Sequence, residues 1–232
     1  MSDSSYNQFC PVSMAAEIIC SRWTLLVLRE LVLGSTRFNE LRRGLPSMSP
    51  ALLSKRLKEL EADGIVMHIA AEREPGALEY RLTEAGNELR PIIEGIGTWG
   101  HRWVTTKATL ENLDANLLMW DIRRNINTDP MPHRRNTIQF IFNDRSPSER
   151  NYWLVVEPGN EVDLCLVDPG FDVDLYVSTD LRTMTEIWLG YAAIGHASED
   201  GRLVLTGNSK LAADLRTWLK LSVFARIEKK VA

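Results

Sequence analysis

The sequence predicts an α+β protein in two domains: a helix-rich N-terminal half with one hairpin, then a C-terminal sheet domain with helices on one face. Three observations carry this. At 232 residues the chain is long for one compact domain and comfortable for two of about 100 residues each. The apolar period changes from three-and-four spacing to strict alternation beyond Arg134. The charge is uneven as well, since residues 1–110 hold 13 basic and 13 acidic side chains whereas residues 111–232 hold 14 and 18, placing the whole net charge of -4 in the second half. The seam is therefore expected in residues 111–134, between domains over 1–110 and 135–232.

In the first half, apolar residues recur at helical spacing from Ser13 to Val32, among them Ile18, Ile19, Trp23, Leu26, Leu28 and Leu31, and Gly34 ends the run. One helix is expected there, with Cys20 in its core stripe. A two-turn helix follows from Arg37 to Arg43, with Thr36 as its cap and Gly44 as its end. Ser49 and Pro50 then open a third helix at the positions where a capping hydroxyl and a missing N–H suit a first turn. Leu53, Leu57 and Leu60 form its buried stripe, and Gly64 closes it. IVMHIA and LEYRL, joined by a turn holding Pro75 and Gly76, read as a hairpin. The last helix starts at Thr83 and carries Leu89, Ile92, Ile93, Ile96, Trp99 and Trp103, while Pro91 predicts a kink or a late start. Gly95, Gly97 and Gly100 on that helix leave room for a second backbone.

Between Arg37 and Lys58 stand six basic residues, Arg37, Arg42, Arg43, Lys55, Arg56 and Lys58, against Glu40 alone, a local charge of +5 in an acidic chain. Charge runs are usually solvated faces. Here the order helix, turn, helix, hairpin adds a constraint that charge alone lacks, because two short helices joined by a tight turn fit the second into a major groove. Ser49, Pro50, Ala51, Ser54 and Lys55 lie opposite the leucine stripe; the small residues let the helix sit deep, and Lys55 and the Ser hydroxyls are the candidates to reach base edges. Arg42, Arg43, Lys58 and Arg73 of the hairpin are the candidates for phosphates, which fix affinity without reading sequence, and Arg37 and Arg56 complete the DNA-binding set.

Residues 10–103 resemble the HxlR family of winged helix-turn-helix transcriptional regulators. The likeness lies in CPV at 10–12, SRWTLLVLREL at 21–31, GSTRFNELRRGLP at 34–46, SPALLSKRLKELEADGIV at 49–66 and EYRLTEAG at 79–86. It implies a homodimer that presents two recognition helices to a palindromic double-stranded DNA operator. Some members use a cysteine in the CPV position as a redox sensor, and Cys10 falls there; a structural role for Cys10 stands beside that reading.

In the second half, TIQFIF at 137–142, YWLVVE at 152–157, VDLCLV at 162–167 and VDLYVS at 173–178 alternate as strands and are expected to form a four-strand meander. Asp180 caps a helix, LVLTG is a fifth strand, and Ser209 opens the last helix. Residues from about 135 to 220 resemble the sterol carrier protein 2 (SCP2) fold, most clearly over 173–219. That resemblance implies an antiparallel-rich five-stranded sheet and an apolar tunnel for a lipid or another hydrophobic small molecule. Trp153, Leu164, Leu166, Tyr176, Trp188 and Tyr191 are candidates to line it, and each also serves as ordinary core.

Catalytic motifs are lacking: the chain has no GxSxG, HExxH or phosphate-cradling glycine loop, and Asp163, Asp172 and Asp174 read as outward strand positions. An enzyme is not expected, nor a cofactor or metal, since Cys10, Cys20 and Cys165 share no ligand spacing with His68, His101, His133 or His196. The N-terminus lacks a secretory pattern and no run approaches the ~18 apolar residues of a membrane helix, so a cytoplasmic protein without a membrane partner is expected. The combined expectation is a dimeric regulator whose second domain senses a hydrophobic effector or mediates interactions. The alternative is a lipid carrier or scaffold that uses its winged helix for dimerisation.

Overall fold

The computed structural model describes residues 5–71 and 76–231, in two compact units, Met1–Gly97 and Thr98–Ala232. The division falls earlier in the chain than the change of period suggests, because residues 98–134 pack with the sheet domain.

Unit 1 runs α1 (Pro11–Ile19), α2 (Thr24–Val32), α3 (Phe38–Gly44), α4 (Pro50–Ala62), β1 (Val66–Ala70), β2 (Leu78–Leu82) and α5 (Glu84–Glu88). The next helix, α6 (Arg90–Trp103), carries Pro91 in its first turn, where a missing N–H costs nothing. The core gathers Val27, Leu28 and Leu31 of α2 with Leu41 of α3, Leu45, Met48, the α4 stripe Leu53, Leu57 and Leu60, and Val66 of β1. Each such side chain removed from water contributes roughly 1.5–3 kcal/mol.

The single helix expected from Ser13 to Val32 is two helices bent by 83°. Trp23 between them takes a left-handed backbone, φ 79°, and its ring packs against the unit 1 core. Periodicity misses this break because the apolar stripes on either side stay in phase. Cys20 caps the C-terminal end of α1 and is exposed, so it lies outside the core. At α3 the cap also differs from expectation: the Glu40 carboxylate, not Thr36, accepts the N–H groups of Thr36 and Arg37 at 2.9 and 3.0 Å.

Unit 2 continues with α7 (Thr106–Thr109), α8 (Ala115–Asn125), β3 (Asn136–Phe142), β4 (Asn151–Val156), β5 (Asp163–Cys165), β6 (Leu175–Thr179), α9 (Leu181–Trp188), α10 (Ile194–Glu199), β7 (Leu203–Gly207), α11 (Ser209–Ala213) and α12 (Leu215–Trp218). The five strands are ordered β5-β4-β3-β6-β7. The expected meander stops after three strands, because residues 166–174 carry the chain back over β4 and β3 so that β6 pairs with β3 in parallel. Asp174 pins that return: its carboxylate accepts Thr137 N–H at 2.9 Å and Arg134 Nη2 at 2.7 Å, a structural duty rather than an outward strand position. Phe140, Phe142, Leu154, Val156, Leu175 and Val177 face Met119 and Ile122 of α8, Met184, Ile187 and Trp188 of α9, and Trp218 of α12 in one apolar cluster.

The six candidate lining residues of the expected tunnel fall in different places relative to that cluster. Trp188 joins the core and Leu164 packs against it. Trp153 and Tyr176 both pair with Gln139 and so lie on the opposite side of the sheet from Tyr152, Leu154 and Val177. Leu166 is exposed, and the Tyr191 hydroxyl accepts Lys229 Nζ at 3.1 Å. Among the described residues no single helix is long and apolar enough to cross a membrane.

Candidate nucleic-acid interface

The turn between α3 and α4 is fixed from behind by a buried polar cluster. Glu30 of α2 is fully buried; its carboxylate accepts Arg29 Nη2 at 2.8 Å and Ser35 Oγ at 3.2 Å. Arg29 Nη2 also donates to the Gly44 carbonyl at 2.8 Å, tying the C-terminal end of α3 to α2. A β-carbon at Gly44 would stand 1.9 Å from a Glu30 carboxylate oxygen, so only glycine lets α3 end this close to that carboxylate.

α4 starts where Ser49 Oγ accepts Leu52 N–H at 3.3 Å. With three leucines committed to the core, the helix turns Pro50, Ala51, Lys55 and Lys58 to solvent and keeps Ser54 half-buried. A shallow groove along it is lined by Ala51, Ser54, Lys55, Lys58, Glu59 and Ala62. Arg42 and Arg43, at the end of α3, are exposed, and Arg37 at its start is half-buried. The hairpin is joined to the same frame through Tyr80 N–H, which donates to the Thr36 carbonyl at 2.8 Å. On it His68 and Tyr80 stack, ring centroids 4.4 Å apart. Arg73 lies outside the described residues.

Arg56 does a different job from its basic neighbours. Its Nε donates to the Arg22 carbonyl at 3.1 Å, satisfying an acceptor freed by the break between α1 and α2, and its Nη1 pairs with Glu59. Its side chain is 16 % exposed, against 67 % for Lys55. Glu59 also stands 3.9 Å from Lys55. Counting charge from Arg37 to Lys58 stops one residue short of this carboxylate and overstates the free positive charge of the helix.

Two further surfaces belong to the N-terminal half. Ile92, Ile96, Trp99 and Trp103 form one stripe along α6, 47–62 % exposed, and nothing approaches the β-carbon positions of Gly95 and Gly100. Phe9, Val12 and Met14 are exposed on and beside α1. Cys10, at the N-cap of α1, is half-buried. Backbone hydrogen bonds from Ser13 and then Val12 hold its thiol pKa below the usual cysteine value.

A helix-turn-helix whose second helix buries one face in the core and turns a small and basic face to solvent, backed by a two-stranded wing, defines a DNA-binding class of protein. The HxlR-like helix-turn-helix model matches residues 18–108. The uncharacterized HTH-type transcriptional regulator YvaP of Bacillus subtilis (strain 168) is 38 % identical over 99 residues, which are 42 % of this chain and 92 % of that protein. YybR of the same organism, another uncharacterized HTH-type transcriptional regulator, is 37 % identical over 112 residues, 48 % of this chain and 87 % of its own. The structure of the redox regulator HypR in its reduced form shares 38 % identity over 39 % of this chain and 90 % of that one, with a TM-score of 0.37. The chain belongs to the HxlR-like helix-turn-helix family and is a DNA-binding transcriptional regulator of that type over residues 18–108. Strands β3 to β7 lie beyond residues 18–108.

Proposed function

We propose that the protein binds a palindromic operator as a homodimer, inserting α4 of each copy into successive major grooves while Arg42, Arg43 and Lys58 meet phosphates and Ser54 and Lys55 meet base edges. The observation that carries the reading is the division of α4 itself: leucines inward, small and basic side chains outward. The exposed stripe of α6 supports the dimer, since four large apolar residues on one helix face are more than scattered surface hydrophobics. The sheet domain modulates this activity, through a bound effector or a partner. An apolar effector would have to open a packed interior, so the tunnel reading and the lipid-carrier alternative gain nothing from the fold. Cys10 is the candidate redox-responsive thiol.

Selection of bound duplexes from a random DNA pool tests the reading. The expected product is an inverted repeat with half-sites about one helical turn, ~34 Å, apart. No enrichment, or enrichment of a single asymmetric site, overturns it. Trp99→Glu is expected to yield monomers in sedimentation, and an unchanged dimer would move the interface off α6.

A further inference from the structure

The sheet domain carries a polar cleft that the DNA-binding reading does not use. It has a volume of about 240 Å³ and lies between the first turn of α8 and the loop joining β3 to β4. That is below the ~300 Å³ at which sites for drug-sized ligands begin, so an occupant is the size of a small metabolite. Arg145 lines the cleft, and its Nε is buried without a hydrogen bond; the Asp144 carboxylate is 3.7 Å away. The guanidinium carries five N–H donors, more than the Asp144 carboxylate takes up.

Two asparagines in the lining are oriented by their oxygens. Asn116 Oδ1 accepts the Tyr152 hydroxyl at 3.2 Å, and Asn151 Oδ1 accepts Gln139 Nε2 at 3.2 Å, leaving each Nδ2 as a donor. The first backbone N–H groups of α8, at Ala115 and Asn116, precede the intrahelical ladder, while the Asp114 carboxylate caps the same end by accepting Leu117 N–H at 3.0 Å. Carboxylates are present too, at Asp114 and Glu149. Burial first, and then these two negative charges, raise the Tyr152 pKa, while Arg145 opposes them, so all three charges converge on one phenol. The remaining lining includes Leu113 and Leu166.

We propose that this cleft binds a small zwitterion, an α-amino acid with a short apolar side chain. Arg145 and the donors at the start of α8 take the carboxylate. Glu149, whose carboxylate accepts the Ser146 hydroxyl at 3.1 Å through one oxygen, takes the ammonium. Leu113 and Leu166 receive the side chain. A ligand with a carboxylate alone would meet Asp114 and Glu149, with Asp144 also beside Arg145, and one with an amine alone would leave the donors of Arg145, Asn116 and Asn151 without an acceptor; the zwitterion answers both. The proposal concerns unit 2 and stands or falls apart from DNA binding.

Isothermal titration of the full-length protein with L-leucine tests it, alongside 4-methylpentanoate, which lacks the ammonium, and 3-methylbutylamine, which lacks the carboxylate. Leucine is expected to bind one per chain with a dissociation constant below ~1 mM, and each analogue at least about tenfold more weakly. Arg145→Gln and Glu149→Gln are each expected to weaken leucine about tenfold or more, and Arg145→Lys to recover part of the loss. Hydrogen exchange with saturating leucine is expected to slow at residues 113–118 and 145–152, a readout on the unsubstituted protein that does not depend on the variants folding. No saturable heat with leucine, 4-methylpentanoate binding as tightly as leucine, or protection elsewhere overturns the proposal.

Discussion

Gly44→Ala isolates the polar cluster that holds the helix-turn-helix together. The backbone at Gly44 is not left-handed, so alanine is conformationally acceptable, and as the last residue of α3 it would gain up to ~1 kcal/mol in helix propensity over glycine. Against this, its β-carbon would fall 1.9 Å from one Glu30 carboxylate oxygen and 2.6 Å from the other. Glu30 has no room to retreat into water, because it is fully buried and tied to Arg29 and Ser35. Displacing it breaks a buried ion pair, which costs about 3–5 kcal/mol. The expected net loss is ~2–4 kcal/mol, confined to unit 1.

Native-state hydrogen exchange read by mass spectrometry separates the two units: protection over residues 24–45 is expected to fall by that amount and protection over residues 137–156 to stay. The Glu30→Ala background supplies the control. There the β-carbon meets space, and Arg29, 31 % exposed, can turn to solvent, so Gly44→Ala becomes neutral or slightly stabilising. A coupling energy of ~2–4 kcal/mol is therefore expected in the double-mutant cycle. Equal costs in the two backgrounds, or a cost below ~0.5 kcal/mol in the native one, would refute the steric argument.

Three further outcomes are expected. Lys229 Nζ donates to the carbonyls of His101 and Val104 at the end of α6, at 3.1 and 2.6 Å, so Lys229→Ala should speed exchange of the amides over 222–231 and cost about 1–3 kcal/mol locally, against no change if the lysine is dispensable. Burial, and then the Lys229 charge, lower the His101 pKa below 6.5. The unfolded chain binds the proton more readily, so unit 2 should be fully stable above pH 6.5 and lose stability as pH falls toward the folded value; Tm at pH 7.5 and 5.5 checks this, with a shallower loss in His101→Gln. The alkylation midpoint of Cys10 should lie at lower pH than that of an unstructured cysteine peptide measured in parallel, and a midpoint equal to or above the peptide's would remove the cysteine as a sensor candidate.

The parts of the fold legible in the sequence were those set by local rules. Ser49 and Pro50 mark the start of α4 because capping and a first-turn proline act within four residues, and the leucine stripe marks its buried face. The break at Trp23 was not legible, since a left-handed residue between two in-phase apolar stripes leaves the period intact. Nor was the parallel pairing of β3 with β6, which depends on Asp174 reaching Thr137 across 37 residues. At the site, the basic cluster was visible but its division was not: Arg56 and Lys58 look alike in sequence, and only the position of the Arg22 carbonyl and Glu59 separates them. The polar cleft at Arg145 gave no signal, because its walls come from segments some thirty residues apart.

That division changes what the electrostatics should show. Phosphate contacts lower the logarithm of affinity with the logarithm of salt by about 0.9 for each phosphate neutralised. Arg56, spent on Glu59 and a carbonyl, should leave that slope untouched when its charge is removed but loosen the α1–α2 corner. Arg42 and Lys58, both exposed, should flatten it. In a two-fold dimer every substitution is made twice, so Arg42→Ala or Lys58→Ala should reduce the slope by ~1.8 rather than ~0.9. A reduction near 0.9 would mean one engaged α4 per complex, and no reduction would mean that these side chains do not meet the backbone. The salt titration thus measures charge and symmetry together, and the doubling should vanish in Trp99→Glu if the stripe on α6 joins the two copies.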